Sequence, residues 1–114
     1  MVAMYGIPNC DTIRKARVWL ETHDISFDFH NYKKEGINAA LLRDWSEQVG
    51  WEVLLNRRGL TWRKLDHDQK EGIDLDKAIG LMCENPSMIK RPVLVIDGHI
   101  EVGFSAQRYA ELFA

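Results

Sequence analysis

The sequence predicts an α/β fold in which a mixed β-sheet is flanked by helices and interrupted by a helical insertion. Three observations carry this. An apolar run, a helical stripe and an alternating run follow one another before Asn31. Near the C-terminus, two short apolar runs are separated by an Asp-Gly pair. Between these ends the pattern is helical, with no convincing strand.

Val2–Tyr5 reads as the first strand and Gly6-Ile7-Pro8-Asn9 as a turn. From Asp11 a helix begins, with Ile13, Ala16 and Leu20 on one face. His23-Asp24 turns the chain, and Ile25–His30 alternates apolar and polar residues as a half-buried strand does. Strand, helix and strand over this length make a βαβ unit, whose strands are parallel and joined right-handedly. In the insertion, Asn38 is placed to cap a helix with Leu41, Leu42, Trp45 and Val49 as its stripe, closed by Gly50. Leu54–Lys64 reads as one or two short helical turns carrying four cations, Arg57, Arg58, Arg63 and Lys64. A further stripe of Leu75, Ala78, Ile79 and Met82 starts after Asp74 and stops at Asn85-Pro86. Cys83 follows that stripe and is expected to be a buried filler. Val93–Ile96, Asp97-Gly98 and His99–Val102 predict a hairpin with a type I′ turn. Ser105 is set to cap a last helix bearing Ala106, Tyr109, Leu112 and Phe113.

A βαβ half followed by a helical insertion and a ββα half is the thioredoxin-like arrangement. It predicts a single domain, with a core of residues 1–32 and 89–114 and an insertion of residues 33–88. In that arrangement a loop enters the third strand through a cis-proline opposite the start of the first helix. Lys90-Arg91-Pro92-Val93 is the segment that fits, so the Arg91–Pro92 bond is expected to be cis.

At 114 residues with 46% hydrophobic and 28% charged residues, the chain can bury a core without disulfide or metal staples. A formal net charge of -2 argues against a nucleic-acid or anionic-membrane partner. No apolar run approaches the roughly 20 residues needed to span a bilayer, and the N-terminus carries no basic region before a hydrophobic segment. A soluble, cytoplasmic monomer is expected. The two cysteines, Cys10 and Cys83, suit a reducing compartment better than a disulfide framework.

Chemistry concentrates at Cys10. The first N–H groups of a helix lack partners within it and carry the positive end of its dipole, so a thiol placed there is stabilised as thiolate. The polar neighbours Pro8, Asn9, Asp11 and Thr12 argue for exposure rather than burial. A dithiol motif would need a second Cys where Ile13 stands. A phosphatase loop would need Arg where Ala16 stands, with Arg17 one residue late and rotated about 100° around the helix. His23, His30, His67 and His99 show no metal-ligand spacing with each other or with either Cys, so no metal or bound cofactor is expected. What remains is a lone activated thiol with Arg91 as the best-placed cation, able to hold carboxylate or oxyanion in two-pronged fashion.

Gly6–Thr12, Trp51–Gly59, Thr61-Trp62-Arg63 and Ile89–Pro92 together resemble the ArsC-like family of glutaredoxin-coupled reductases, which also holds the Spx regulators. The pattern is most similar to the YffB branch and covers essentially the whole chain. The resemblance implies a thioredoxin-like core with a helical insertion, a single nucleophilic Cys and glutathione as the resolving thiol. Of the three arginines with which the arsenate reductases hold oxyanion, Arg91 matches. Asn56 stands at the second, with Arg57 a residue late, and the third falls near Phe104. Gly6 stands where those enzymes carry His. An activated thiol, one Arg and aromatic neighbours such as Tyr5 and Phe104 suit glutathione better than a bare trianion. The expected activity is a glutathione-dependent thiol–disulfide reductase with Cys10 and Arg91 catalytic and glutathione as co-substrate. Asn9, Asp11, Thr12, Pro92 and Phe104 are expected to contact glutathione, with Arg57 or Arg58 assisting. Glutaredoxin or an oxidised protein substrate is the expected macromolecular partner. Arsenate reduction and a non-catalytic, Spx-like contact with RNA polymerase are the alternatives.

Overall fold

In the computed structural model, which describes residues 1–114, a four-stranded sheet of order β2-β1-β3-β4 joins the two ends of the chain. The elements in chain order begin with β1 (Val2–Gly6), α1 (Asp11–Thr22) and β2 (Asp28–Asn31). They continue with α2 (Tyr32–Glu35), α3 (Ala39–Val49), α4 (Trp51–Leu54), α5 (Leu60–Lys64), α6 (His67–Lys70) and α7 (Leu75–Glu84). A 3-10 turn (Pro86–Met88), β3 (Val93–Ile96), β4 (His99–Val102) and α8 (Ala106–Leu112) complete the chain. Two compact units result, Met1–Asn31 with Arg91–Ala114, and Tyr32–Lys90.

In the first unit β1 is central. It pairs in parallel with β2, Tyr5 opposite His30, and antiparallel with β3, Met4 opposite Leu94. Alternation along β1 sends Met4 to the core and Tyr5 to the other face of the sheet, where its ring stacks on His30 at 4.6 Å. Met4, Ile13, Ala16, Leu20, Leu94 and Tyr109 form the core, all fully buried. Truncating Leu20 there would cost about 2–5 kcal/mol. The hairpin turn has positive φ at both Asp97 (47°) and Gly98 (89°), as a type I′ turn requires. The Arg91–Pro92 peptide is cis.

β2 starts later than the alternation suggested. Ile25 donates its N–H to the Leu20 carbonyl at 2.9 Å, closing the end of α1, so it is not available to the ladder. Ile25 and Phe27 nonetheless pack against the core.

In the second unit, Leu42, Trp45, Ala78, Ile79 and Met82 bury the facing sides of α3 and α7. Asn38 and Asp74 accept the Leu41 and Lys77 N–H groups at 2.8 and 2.9 Å, the N-caps the sequence predicts. Cys83 is half-buried rather than the buried filler expected. Ala78, Ile79, Leu81 and Met82 already fill the inner face, and the next position turns about 100° away from it. Leu54–Asn56 runs beside Met88–Lys90 through an isolated bridge from Leu55 to Ile89, with Lys90 N–H donating to the Leu54 carbonyl at 2.7 Å.

Candidate active site

Cys10 is the N-cap residue of α1. Pro8 and Asn9 end β1 in an exposed turn, and Cys10 then takes an extended conformation (φ −136°, ψ 130°). Its carbonyl accepts the Arg14 N–H at 2.9 Å, the first hydrogen bond of the helix. Its side chain is half-exposed and packs at the edge of the Met4 core.

Burial pushes the Cys10 thiol up, but the Ile13 N–H, the Arg91 side chain and the Thr12 N–H together outweigh it, leaving the pKa below the ordinary 9.0. The sulfur makes no formed cap hydrogen bond. The two findings agree, because a neutral thiol is a weak acceptor while a thiolate draws on the same donors at longer range. Cys83 behaves in the opposite way. Burial, with the neighbouring Glu84 charge, raises its pKa above 9.0.

The structure therefore brings together Cys10, Thr12 and Arg91, and adds the Ile13 amide, which sequence reasoning did not single out. The signal for it was available, since an N-cap side chain addresses the second and third amides of its helix. Gly6 was also missed as a contributor. It is buried, and a Cβ there would run into Ile13 Cδ1 and stand 3.7 Å from the Arg91 Cβ. The absence of a side chain at Gly6 leaves to the Ile13 side chain the space it occupies against β1.

The other predicted residues are placed as follows. Asn9 is exposed in the turn. Asp11 heads α1 and pairs with Arg14 at 3.2 Å on the surface. Pro92 is buried, and its carbonyl accepts the Gly103 N–H at 2.8 Å, tying the loop after β4 to the start of β3. Phe104, next in that loop, packs edge-on against Tyr109 with ring centroids 4.7 Å apart. Tyr5 lies on the opposite face of the sheet from the core against which Cys10 packs. In the second unit, Arg57 places its guanidinium 5.6 Å from the ring centres of both Trp51 and Trp62. Arg58 is exposed, and its N–H donates to Asn56 Oδ1 at 3.1 Å.

A low-pKa sulfur facing backbone donors and one guanidinium can act as a nucleophile and can hold an anion beside it. Known proteins share the fold that carries these residues. The structure of the YffB (PA3664) protein is 50% identical, covers all of both chains and has a TM-score of 0.97. That of an arsenate reductase (ArsC) related protein from Brucella melitensis is 51% identical over 98% of this chain and 93% of its own, with a TM-score of 0.78. The global transcriptional regulator Spx from Streptococcus mutans is 33% identical over 107 residues, 92% of this chain and 77% of its own length. The fold is thioredoxin-like with a mixed four-stranded sheet, as the sequence predicts. The profile of the ArsC family matches residues 5–112, and the chain belongs to that family.

Proposed function

We propose that this protein is a glutathione-dependent thiol–disulfide reductase with Cys10 as its single nucleophile. The observation that carries the reading is the pairing of a lowered Cys10 pKa with the Arg91 guanidinium beside it. A thiolate supplies the attacking electron pair, and the Arg supplies a fixed cation for a carboxylate or a developing anion. Ile13 occupies the place of a resolving Cys, so a second thiol must come from outside the first helix. Glutathione meets that need.

In the proposed cycle the Cys10 thiolate attacks the glutathione sulfur of a mixed disulfide. The Cys10–glutathione disulfide forms, the original disulfide breaks, and the substrate leaves as thiolate. A second glutathione then attacks the glutathione sulfur on Cys10. Oxidised glutathione departs, and its formation carries away the two electrons' worth of oxidising equivalents that the substrate held.

The test is intact-mass and peptide spectrometry after brief exposure to oxidised glutathione, for wild type, Cys10→Ser and Arg91→Ala. The expected result is a rapid adduct on Cys10, slower in Arg91→Ala and removed by reduced glutathione. Modification of Cys10 no faster than Cys83 would sink the proposal. Arsenate reduction is a second reading, supported by the Brucella melitensis relative and by the same Cys10–Arg91 pair. Arsenate-dependent oxidation of glutathione in the presence of a glutaredoxin would distinguish it. If Cys10 proved inert while the protein retained RNA polymerase from solution, a regulatory role like that of Spx would replace both.

A further inference from the structure

Along the helix that Cys10 caps, one face of α1 forms the floor of a groove of about 370 Å³. Val18 and Trp19 lie along it, Phe104 makes one wall, and Arg14 and Lys15 stand at the end nearer Cys10. At the far end His23 stacks on Trp19 at 3.8 Å, its Nδ1 fixed 2.8 Å from the Trp19 carbonyl oxygen. The surface inside is almost wholly apolar, and Val18 is 54% exposed. No carboxylate lines the groove. Arg14 has one surface partner, Asp11, in the kind of exposed pair that is worth little and is readily exchanged.

From this groove we propose that the substrate of Cys10 is a protein rather than a small disulfide, held by an acidic segment with an apolar anchor next to its oxidised cysteine. The inference rests on the glutathione-dependent reading above and names the substrate class of that same site. Two features select this occupant. Two cations in a groove that no carboxylate lines complement the carboxylates of a partner, and an exposed Val beside Trp and Phe rings offers a seat for an apolar side chain. Reach sets the spacing. Val18 lies eight residues beyond Cys10, about 12 Å along the helix axis, a distance spanned by about four residues of extended chain. In the step itself Cys10 bonds to the glutathione sulfur, and the groove holds the protein half that leaves as thiolate.

The test uses synthetic ten-residue peptides, each carrying one cysteine in mixed disulfide with glutathione. The first has Leu four residues from that cysteine and two Glu between them; the second replaces both Glu with Lys; the third replaces Leu with Gly. Transfer of glutathione to Cys10 is timed for each peptide and for oxidised glutathione, in wild type, Val18→Glu and Lys15→Glu. Wild type should react with the first peptide at least tenfold faster than with the other two. Val18→Glu should lose that preference while its reaction with oxidised glutathione is unchanged, and Lys15→Glu should shift the preference toward the Lys peptide. Equal rates with all three peptides, or a Val18→Glu defect that extends to oxidised glutathione, would overturn the proposal. Fluorescence anisotropy of the first peptide, with Ser for Cys, reads binding without chemistry. Bound peptide with an inert Cys10 would refute the reductase reading alone, whereas a reactive Cys10 with no bound peptide would refute the groove alone. Sedimentation of the same samples covers a second copy as occupant: a dimer dissolved by Val18→Glu would also overturn it.

Discussion

At the residue scale, the lowered pKa of Cys10 comes from three backbone and side-chain effects rather than from the thiol itself. Burial raises its pKa, and the Ile13 amide, Arg91 and the Thr12 amide lower it further than burial raises it. Alkylation with iodoacetamide should therefore have its pH midpoint below 9.0 at Cys10 and above 9.0 at Cys83. Arg91→Ala should move the Cys10 profile upward and slow its reaction at neutral pH several-fold. The same shift enters stability. A native pKa below the unfolded one adds stability that is complete above the unfolded value and is lost as pH falls through the native value. The stability difference between wild type and Cys10→Ser, from urea unfolding, should thus widen in favour of wild type as pH rises. Cys10 and Arg91 were legible in the sequence because each carries its chemistry in a side chain. Gly6 was not, since its contribution is the absence of one. Gly6→Ala should cost about 1–3 kcal/mol by overpacking and raise the Cys10 alkylation pKa as Ile13 is displaced. Ile13→Val removes the Cδ1 that the new methyl would meet, so the double variant should recover the low pKa. Failure to recover it would mean that Gly6 acts through β1 and not through Ile13.

At the element scale, what could be read from the sequence were the helices long enough to show a period and the caps that start them. α3, α7 and α8 begin at Asn38, Asp74 and Ser105, each accepting from the third amide of its helix. α2, α4 and α6 are single turns of 4 residues, too short for an apolar stripe to declare itself. α6 did carry a legible sign, the reciprocal capping box of Asp66 and Gln69. The late start of β2 was hidden because the use of the Ile25 N–H to close α1 depends on a tertiary path and not on alternation. Replacing a cap separates local from tertiary contributions. Asn38→Ala and Asp74→Ala should each cost about 1 kcal/mol in urea unfolding. Both caps lie in the second unit, so neither should alter the pH profile of Cys10 alkylation. A changed profile would show that the second unit tunes the thiol.

At the scale of the whole molecule, the sheet that carries the thiol is assembled from chain ends far apart in sequence. Val2–Tyr5 pairs with Val93–Ile96, and the core of Met4, Ile13, Ala16 and Leu20 is completed by Leu94 and Tyr109. Pairing over such separations places loop-closure entropy before most of the gain, which assigns folding to the slower range of small α/β domains. It also means that Arg91 acts on Cys10 only when both ends are docked. A chain ending at Pro92 keeps Cys10, Arg91 and Pro92 but lacks β3, β4 and α8. β1 would then have β2 as its one neighbour, and two short strands without the rest of the core are not stable in water. Amides of β1 and β2 should accordingly lose their protection from hydrogen exchange in the truncated chain, and Cys10 should be alkylated with the pH profile of an ordinary thiol. Retention of a low Cys10 pKa despite exposed β1 amides would place the activation in the start of α1 alone. Arg91 would then be a contact of the folded state that binds substrate anion without tuning the nucleophile.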